Sequence, residues 1–233
     1  MAGYLLLEGG AEFGGQMSVP DRRAIELAGG PDARVCIIPT AAAPDNNHTR
    51  AGNNGVRWFR GLGATAVELL LLIDSASAND ASIAATLRQS RLIYMLGGFT
   101  GYLGETLKGS ESERAMLDAY ESGAVIAGSS AGAMVMCQYY FNPERGQVVE
   151  GLNFVSNTCV LPHHNTFGKR WASQLTRLLP NAVLLGIDEQ TGMLDDGGDT
   201  TNWRVYGRGE VTIYRKGQPT VYSSGQRFRD EFS

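Results

Sequence analysis

Histidine and cysteine are scarce in this 233-residue chain, with three of each. The cysteines, Cys36, Cys137 and Cys159, form no CxxC pair, and each lies in an apolar run. They read as buried thiols of a reducing compartment, which implies a cytoplasmic location and excludes the usual zinc and redox spacings. No apolar stretch approaches the ~18 residues of a membrane span. Met1–Gly10 has no basic segment ahead of its short apolar run, so no signal peptide is expected. Positive charge is also in short supply, with 20 basic against 24 acidic residues and no basic cluster. Nucleic acid is therefore not an expected partner. Charged residues are only 19% and hydrophobic residues 43%, which excludes a disordered chain. No Gly-Lys-Ser/Thr is present for a P-loop. Asp195-Asp196-Gly197-Gly198-Asp199 does not have EF-hand spacing and reads as a turn. No metal or cofactor is expected.

What the chain has in excess is glycine, 30 residues, without a collagen-like period. Three clusters, Gly9–Gly15, Gly97–Gly104 and Gly128–Gly132, each follow a short apolar run. The runs Tyr4–Glu8, Arg34–Pro39, Ala66–Leu72, Arg91–Leu96 and Ala124–Ala127 read as buried parallel strands. Between them, Asn54–Arg60, Ala81–Leu87 and Glu113–Tyr120 have helical spacing, with Asp80 and Ser110 as caps. Phe167, Trp171, Leu175 and Leu178 predict one face of a further amphipathic helix. After about residue 190 the pattern turns to short β-prone runs, Trp203–Tyr206, Glu210–Tyr214 and Thr220–Tyr222. The expectation is an α/β chain of one domain, residues 1–233. A mostly parallel three-layer sandwich of flavodoxin-like type would carry a C-terminal antiparallel meander.

The chemistry concentrates at strand ends. Gly128-Ser129-Ser130-Ala131-Gly132 fits G-x-S-x-G between a strand and a helix, the setting of a nucleophile elbow. The spacing selects Ser130 as nucleophile, with the Ala131 N–H as an oxyanion donor. A serine needs a base. His48 lies in a polar loop, whereas His163 and His164 follow the short strand Cys159–Pro162. Adjacent residues there face opposite ways, so one of the two serves as base. An acid to orient it is offered by Asp188 or Glu189, after the run Leu184–Ile187. The Gly97–Gly104 loop suits a second oxyanion donor near Gly98.

These residues resemble the cyanophycinase and dipeptidase E group of serine peptidases, whose fold is like that of class I glutamine amidotransferases. The resemblance rests on Leu6-Leu7-Glu8-Gly9-Gly10-Ala11-Glu12, on Ala33–Thr40, on Gly97-Gly98 and on the elbow Gly128–Ala133. It implies Ser130 as nucleophile, His164 as base, Glu189 as acid, and Gly98 with Ala131 as the oxyanion hole. Phe99, Thr100, His163 and Arg170 are then expected on the substrate side. The chain departs from cyanophycinases at Phe99 and Thr100, where a polar pair is usual. It also carries Gly168 at one of two family Arg positions counted from His164, keeping only Arg170. The implied activity is hydrolysis of short peptides, as a dipeptidase or exopeptidase, in a homo-oligomer. Release of Asp-Arg dipeptides from cyanophycin is the alternative. A hydrolase of other acyl groups, or a catalytically silent binding member of the fold, is the second alternative.

Overall fold

The computed structural model describes residues 2–197, 202–229 and 232. Its strands are β1 (Tyr4–Glu8), β2 (Val35–Ile38), β3 (Val67–Leu69), β4 (Leu92–Met95), β5 (Val125–Ser129), β6 (Cys137–Asn142) and β7 (Gln147–Glu150). They continue as β8 (Val155–Leu161), β9 (Val183–Ile187), β10 (Thr191–Asp195), β11 (Asn202–Gly207), β12 (Glu210–Arg215), β13 (Gln218–Ser223) and β14 (Arg227–Arg229). The helices are α1 (Ser18–Leu27), α2 (His48–Gly61), α3 (Ser75–Ala78), α4 (Ala81–Arg88), α5 (Thr100–Leu107), α6 (Glu111–Glu121), α7 (Ala131–Met136) and α8 (Ala172–Leu178).

The strands form two sheets. The larger has the order β14-β11-β10-β1-β5-β4-β2-β3, and its β1, β5, β4, β2 and β3 run parallel. Alternation along β1 explains the layers. Leu5 and Leu7 join a core shared with α4, α6, α7 and the second sheet, while Leu6 faces Ile25, Val56 and Phe59 of α1 and α2. The expected mixed α/β fold is therefore present. Asp80 and Ser110 cap α4 and α6, accepting backbone N–H groups as read from the sequence.

The second sheet, order β13-β12-β9-β8-β6-β7, is larger than the sequence reading allowed. Its centre, β6, β8 and β9, is parallel. The C-terminal meander is not one unit on one edge. β11 and β14 extend the large sheet, whereas β12 and β13 extend the second. The turn Gly207-Arg208-Gly209 is the point where the chain passes between sheets, and the switch lets apolar faces on both be covered. The amphipathic helix expected from Phe167 is shorter than its pattern. A 3-10 turn (Gly168–Trp171) precedes α8, so Phe167 lies outside it, and only Leu175 of the stripe is fully buried. All three cysteines are free and buried. No helix among the described residues is long and apolar enough to cross a membrane.

Candidate active site

The carboxyl ends of β1, β4, β5, β8 and β9 converge on one crevice, the place where open parallel sheets collect their functional groups. Ser130 lies between β5 and α7 with φ 49° and ψ −109°. A residue with a side chain holds such a conformation only where its surroundings impose it. Here its N–H donates to the Glu8 carbonyl at 3.0 Å, and its own carbonyl accepts from Met134 N–H at 2.9 Å. The flanking glycines are required by close approach. A Cβ on Gly128 would stand 2.4 Å from the Gly132 carbonyl carbon, and one on Gly132 would stand 2.3 Å from the Met95 carbonyl oxygen.

The imidazole beside Ser130 is that of His163. Its Nε2 is 3.0 Å from Ser130 Oγ, and its Nδ1 is 2.8 Å from Glu189 Oε1. The arrangement is satisfied when Ser130 Oγ–H donates to Nε2 and Nδ1–H donates to the carboxylate. His163 is also left-handed, φ 49°, and its N–H donates to the Gly9 carbonyl at 2.7 Å. That turn swings its ring out of the second sheet and over the elbow. Thr166 Oγ1 donates to Glu189 Oε1 at 3.3 Å, and the Glu189 backbone N–H donates to Asn165 Oδ1 at 3.0 Å, so one bond holds the carboxylate and the other its backbone. Phe167, 41% exposed, stacks on the His163 ring with centroids 4.9 Å apart.

His164, expected as the base, is not at the nucleophile. It is buried, with Nε2 2.8 Å from the Tyr214 hydroxyl and Nδ1 3.4 Å from Asp188 Oδ1. Its N–H donates to the Ile187 carbonyl, which carries the β8–β9 ladder one residue on and turns its side chain to the opposite face. Burial, reinforced by the nearby Asp188 charge, raises the Tyr214 phenol above its usual range. The phenol therefore keeps its proton and donates it to Nε2. His163, expected on the substrate side, takes the position intended for His164. Counted from His163, the two family Arg positions fall on Phe167 and Lys169, not on Gly168 and Arg170. Arg170 lies exposed in the 3-10 turn, where its N–H donates to the Phe167 carbonyl.

Glu189 stands where it was expected, and Asp188 belongs to the buried histidine. The Gly97-Gly98 loop abuts the elbow. A Cβ on Gly97 would lie 3.2 Å from Ser130 Cβ, and Gly98, at φ +141°, is pressed against the Ala41 carbonyl. Phe99 follows at the mouth, 38% exposed. Thr100, expected to meet substrate, is buried with its hydroxyl directed to Met134 Sδ at 3.6 Å. The first turn of α5 points it into the core, not the crevice. No group of three or more metal-binding side chains occurs among the described residues, and Asp199 of the acidic turn lies outside them.

Sequence reasoning missed a polar cluster directly beneath the elbow. Glu8, Asp21 and Tyr94 are fully buried. Tyr94 hydroxyl donates to Glu8 Oε2, and Trp58 Nε1–H donates to Asp21 Oδ2 at 2.8 Å. Glu8 Oε1 and Asp21 Oδ1 have no other donor, and one proton shared between the carboxyls satisfies both. Burial holds Glu8 well above the usual carboxylate range and pushes Asp21 up to about 7. A Glu closing an apolar strand was the available signal, but nothing in the sequence placed Asp21 next to it.

With this geometry in place, comparison with known proteins is specific. The model of peptidase family S51 matches residues 5–202. The chain belongs to this family. Among curated S51-like relatives, a cyanophycinase of Synechococcus elongatus is 30% identical over 209 residues, covering 81% of this chain. This chain spans only 60% of the length of that cyanophycinase. An uncharacterized peptidase of Listeria innocua is 32% identical over 142 residues, 56% of this chain and 64% of its own. The crystal structure of a peptidase from an acI-B1 Actinobacterium superposes with a TM-score of 0.84 at 26% identity. That match covers 99% of this chain and 98% of the other.

Proposed function

We propose that this S51 chain is a serine peptidase that hydrolyses short peptides through Ser130, His163 and Glu189. The observation that carries this reading is the imidazole of His163, placed between the serine hydroxyl and the carboxylate at hydrogen-bond distance from both. Ser130 Oγ attacks the peptide carbonyl while His163 Nε2 takes its proton. The same nitrogen returns the proton to the leaving amine, and water repeats the sequence on the acyl-enzyme. Glu189 fixes the tautomer and stabilises the imidazolium. The N–H groups of Ala131 and of the Gly98 loop receive the oxyanion. Every step uses groups of the chain and water.

Short peptides are favoured over cyanophycin for a specific reason. The chain has Phe99 and buried Thr100 where the resemblance to cyanophycinases implies a polar pair. Cytoplasmic location and homo-oligomerisation are part of the same reading. A dipeptide and tripeptide library with mass-spectrometric readout tests it. The wild type should release amino acids, and Ser130→Ala should lose roughly a thousandfold or more in turnover while keeping its unfolding midpoint. A folded Ser130→Ala variant with near-normal turnover overturns the proposal.

A further inference from the structure

The first glycine cluster holds a charged group that the reaction above does not use. Glu12 lies in the loop after β1, beside Ala11 (φ 59°) and Phe13 (φ 63°), both in the left-handed region. Such a loop persists only where contacts over-determine it. Phe13 is anchored against Tyr94 and Trp58, with ring centroids 5.6 and 6.4 Å away. Glu12 Oε2 accepts the Ser129 hydroxyl at 2.9 Å. Its other oxygen, Oε1, faces the Gly97 backbone beside the elbow. The Cβ position on Gly97 lies 3.1 Å from Glu12 Oε1 and 3.2 Å from Ser130 Cβ, so the carboxylate and the serine border the same small space. Among the described residues no Lys or Arg forms an ion pair with Glu12.

An unpaired carboxylate at this place works against the reaction. Negative charge develops on the attacked carbonyl, and a fixed negative charge a few ångströms away raises the barrier. A cation brought by the substrate reverses that sign. We infer that Glu12 is a specificity-determining residue that receives a positive group of the substrate next to the scissile bond. The inference rests on the reading of Ser130 as nucleophile. An ammonium at a peptide N-terminus and the side chain of Lys or Arg share the required chemistry. Glu12 also lines a cavity of about 460 Å³ with Phe13, Asn54, Arg57 and Trp58, which already contains a guanidinium. A long basic side chain entering it would meet Arg57, so the compact N-terminal ammonium is the favoured source.

Three alkyl fluorophosphonates test this by their rate of covalent labelling at Ser130. One carries a short 2-aminoethyl arm, one a neutral 2-hydroxyethyl arm, and one a 4-guanidinobutyl arm. The wild type should react about tenfold faster with the ammonium probe than with the neutral one. Glu12→Gln keeps an oxygen to accept the Ser129 hydroxyl but removes the charge. It should erase the preference for the ammonium probe over the neutral one. A guanidinium probe as fast as the ammonium probe would retain Glu12 as the cation acceptor and move the source to a side chain. Equal wild-type rates with all three probes overturn the Glu12 inference while Ser130 stands as nucleophile. An equal loss with every probe in Glu12→Gln also overturns it, by showing that Glu12 only supports the elbow. Absence of labelling at Ser130 by any probe overturns the underlying reading, and Glu12 with it.

Discussion

His163 and His164 are neighbours of the same residue type, and the structure gives them opposite surroundings. His163 is partly exposed, left-handed, and suspended between Ser130 and Glu189. His164 is buried in the second sheet between Tyr214 and Asp188. The two carboxylates that hold them are also neighbours, so adjacent pairs just beyond β8 and β9 meet as two parallel histidine–carboxylate couples. One couple adjoins an activatable hydroxyl and open solvent. The other adjoins a phenol that keeps its proton, and has no room for a substrate. The chemistry available to an imidazole here is set less by its carboxylate than by the third group and by access.

That contrast is most directly broken by removing each ring in turn. His163→Ala should lower peptide turnover by roughly a thousandfold or more, with the unfolding midpoint in urea nearly unchanged. His164→Ala should do the reverse. It removes the partner of the Tyr214 hydroxyl and leaves Asp188 with only the Glu210 N–H, and should cost on the order of 2–4 kcal/mol of stability while the folded fraction keeps most of its turnover. If His164→Ala were the inactive, stable variant, the two histidines would exchange roles.

The carboxylates sharpen the same comparison with a smaller effect. Glu189→Gln should reduce kcat by about a hundredfold or more, because the imidazole loses its orienting charge. Asp188→Asn should leave kcat within about threefold and appear instead in the urea midpoint, by roughly 1–2 kcal/mol. Steady-state kinetics and equilibrium unfolding on both variants separate the outcomes. Equal kinetic losses would mean that the buried couple also controls the reacting one.

The smallest expected effect concerns the acids below the elbow. Asp21 binds its proton up to about pH 7 in the folded protein against an ordinary value of 3.8. The folded state therefore holds more protons than the unfolded chain between these values, and stability falls as pH rises through that window. Asp21→Asn should flatten the dependence, being relatively more stable than the wild type at pH 8 than at pH 5 in urea unfolding. An unchanged slope would show that burial does not raise the Asp21 carboxyl.

Much of the frame was legible in the residues. The five parallel strands of the large sheet follow the apolar runs, because a strand buried on both faces must be apolar throughout. The elbow was legible because Gly128 and Gly132 mark backbone approaches that no side chain tolerates. A strand-end acid, Asp188 or Glu189, was legible, and only the resemblance singled out Glu189. The base was not. Strand alternation says that His163 and His164 face opposite ways, but not which way is the crevice. That direction follows from the left-handed turn at His163 and its bond to Gly9, the first residue after β1 of the other sheet. Thr100 was misplaced because the start of α5 sets the rotation of its first residues, and no local pattern reported it. The second sheet was underestimated because β7 has no buried residue and β6, though largely buried, carries Gln138 and Asn142 among its aromatics, so their apolar signal is weak.

The sequence by itself determined the strand-and-helix order, the glycine-flanked elbow at Ser130 and the family, because these depend on local periodicity and on glycines needed within a single turn. The scarcity of histidine also narrowed the base to one adjacent pair. Only the tertiary structure decided between the two rings, gave Tyr214 and Asp188 to the buried one, and placed Glu12 beside Ser130. Those choices depend on contacts across 50 residues from His164 to Tyr214 and 117 from Glu12 to Ser129. Such contacts exist only once both sheets have packed, and no window of the sequence contains them.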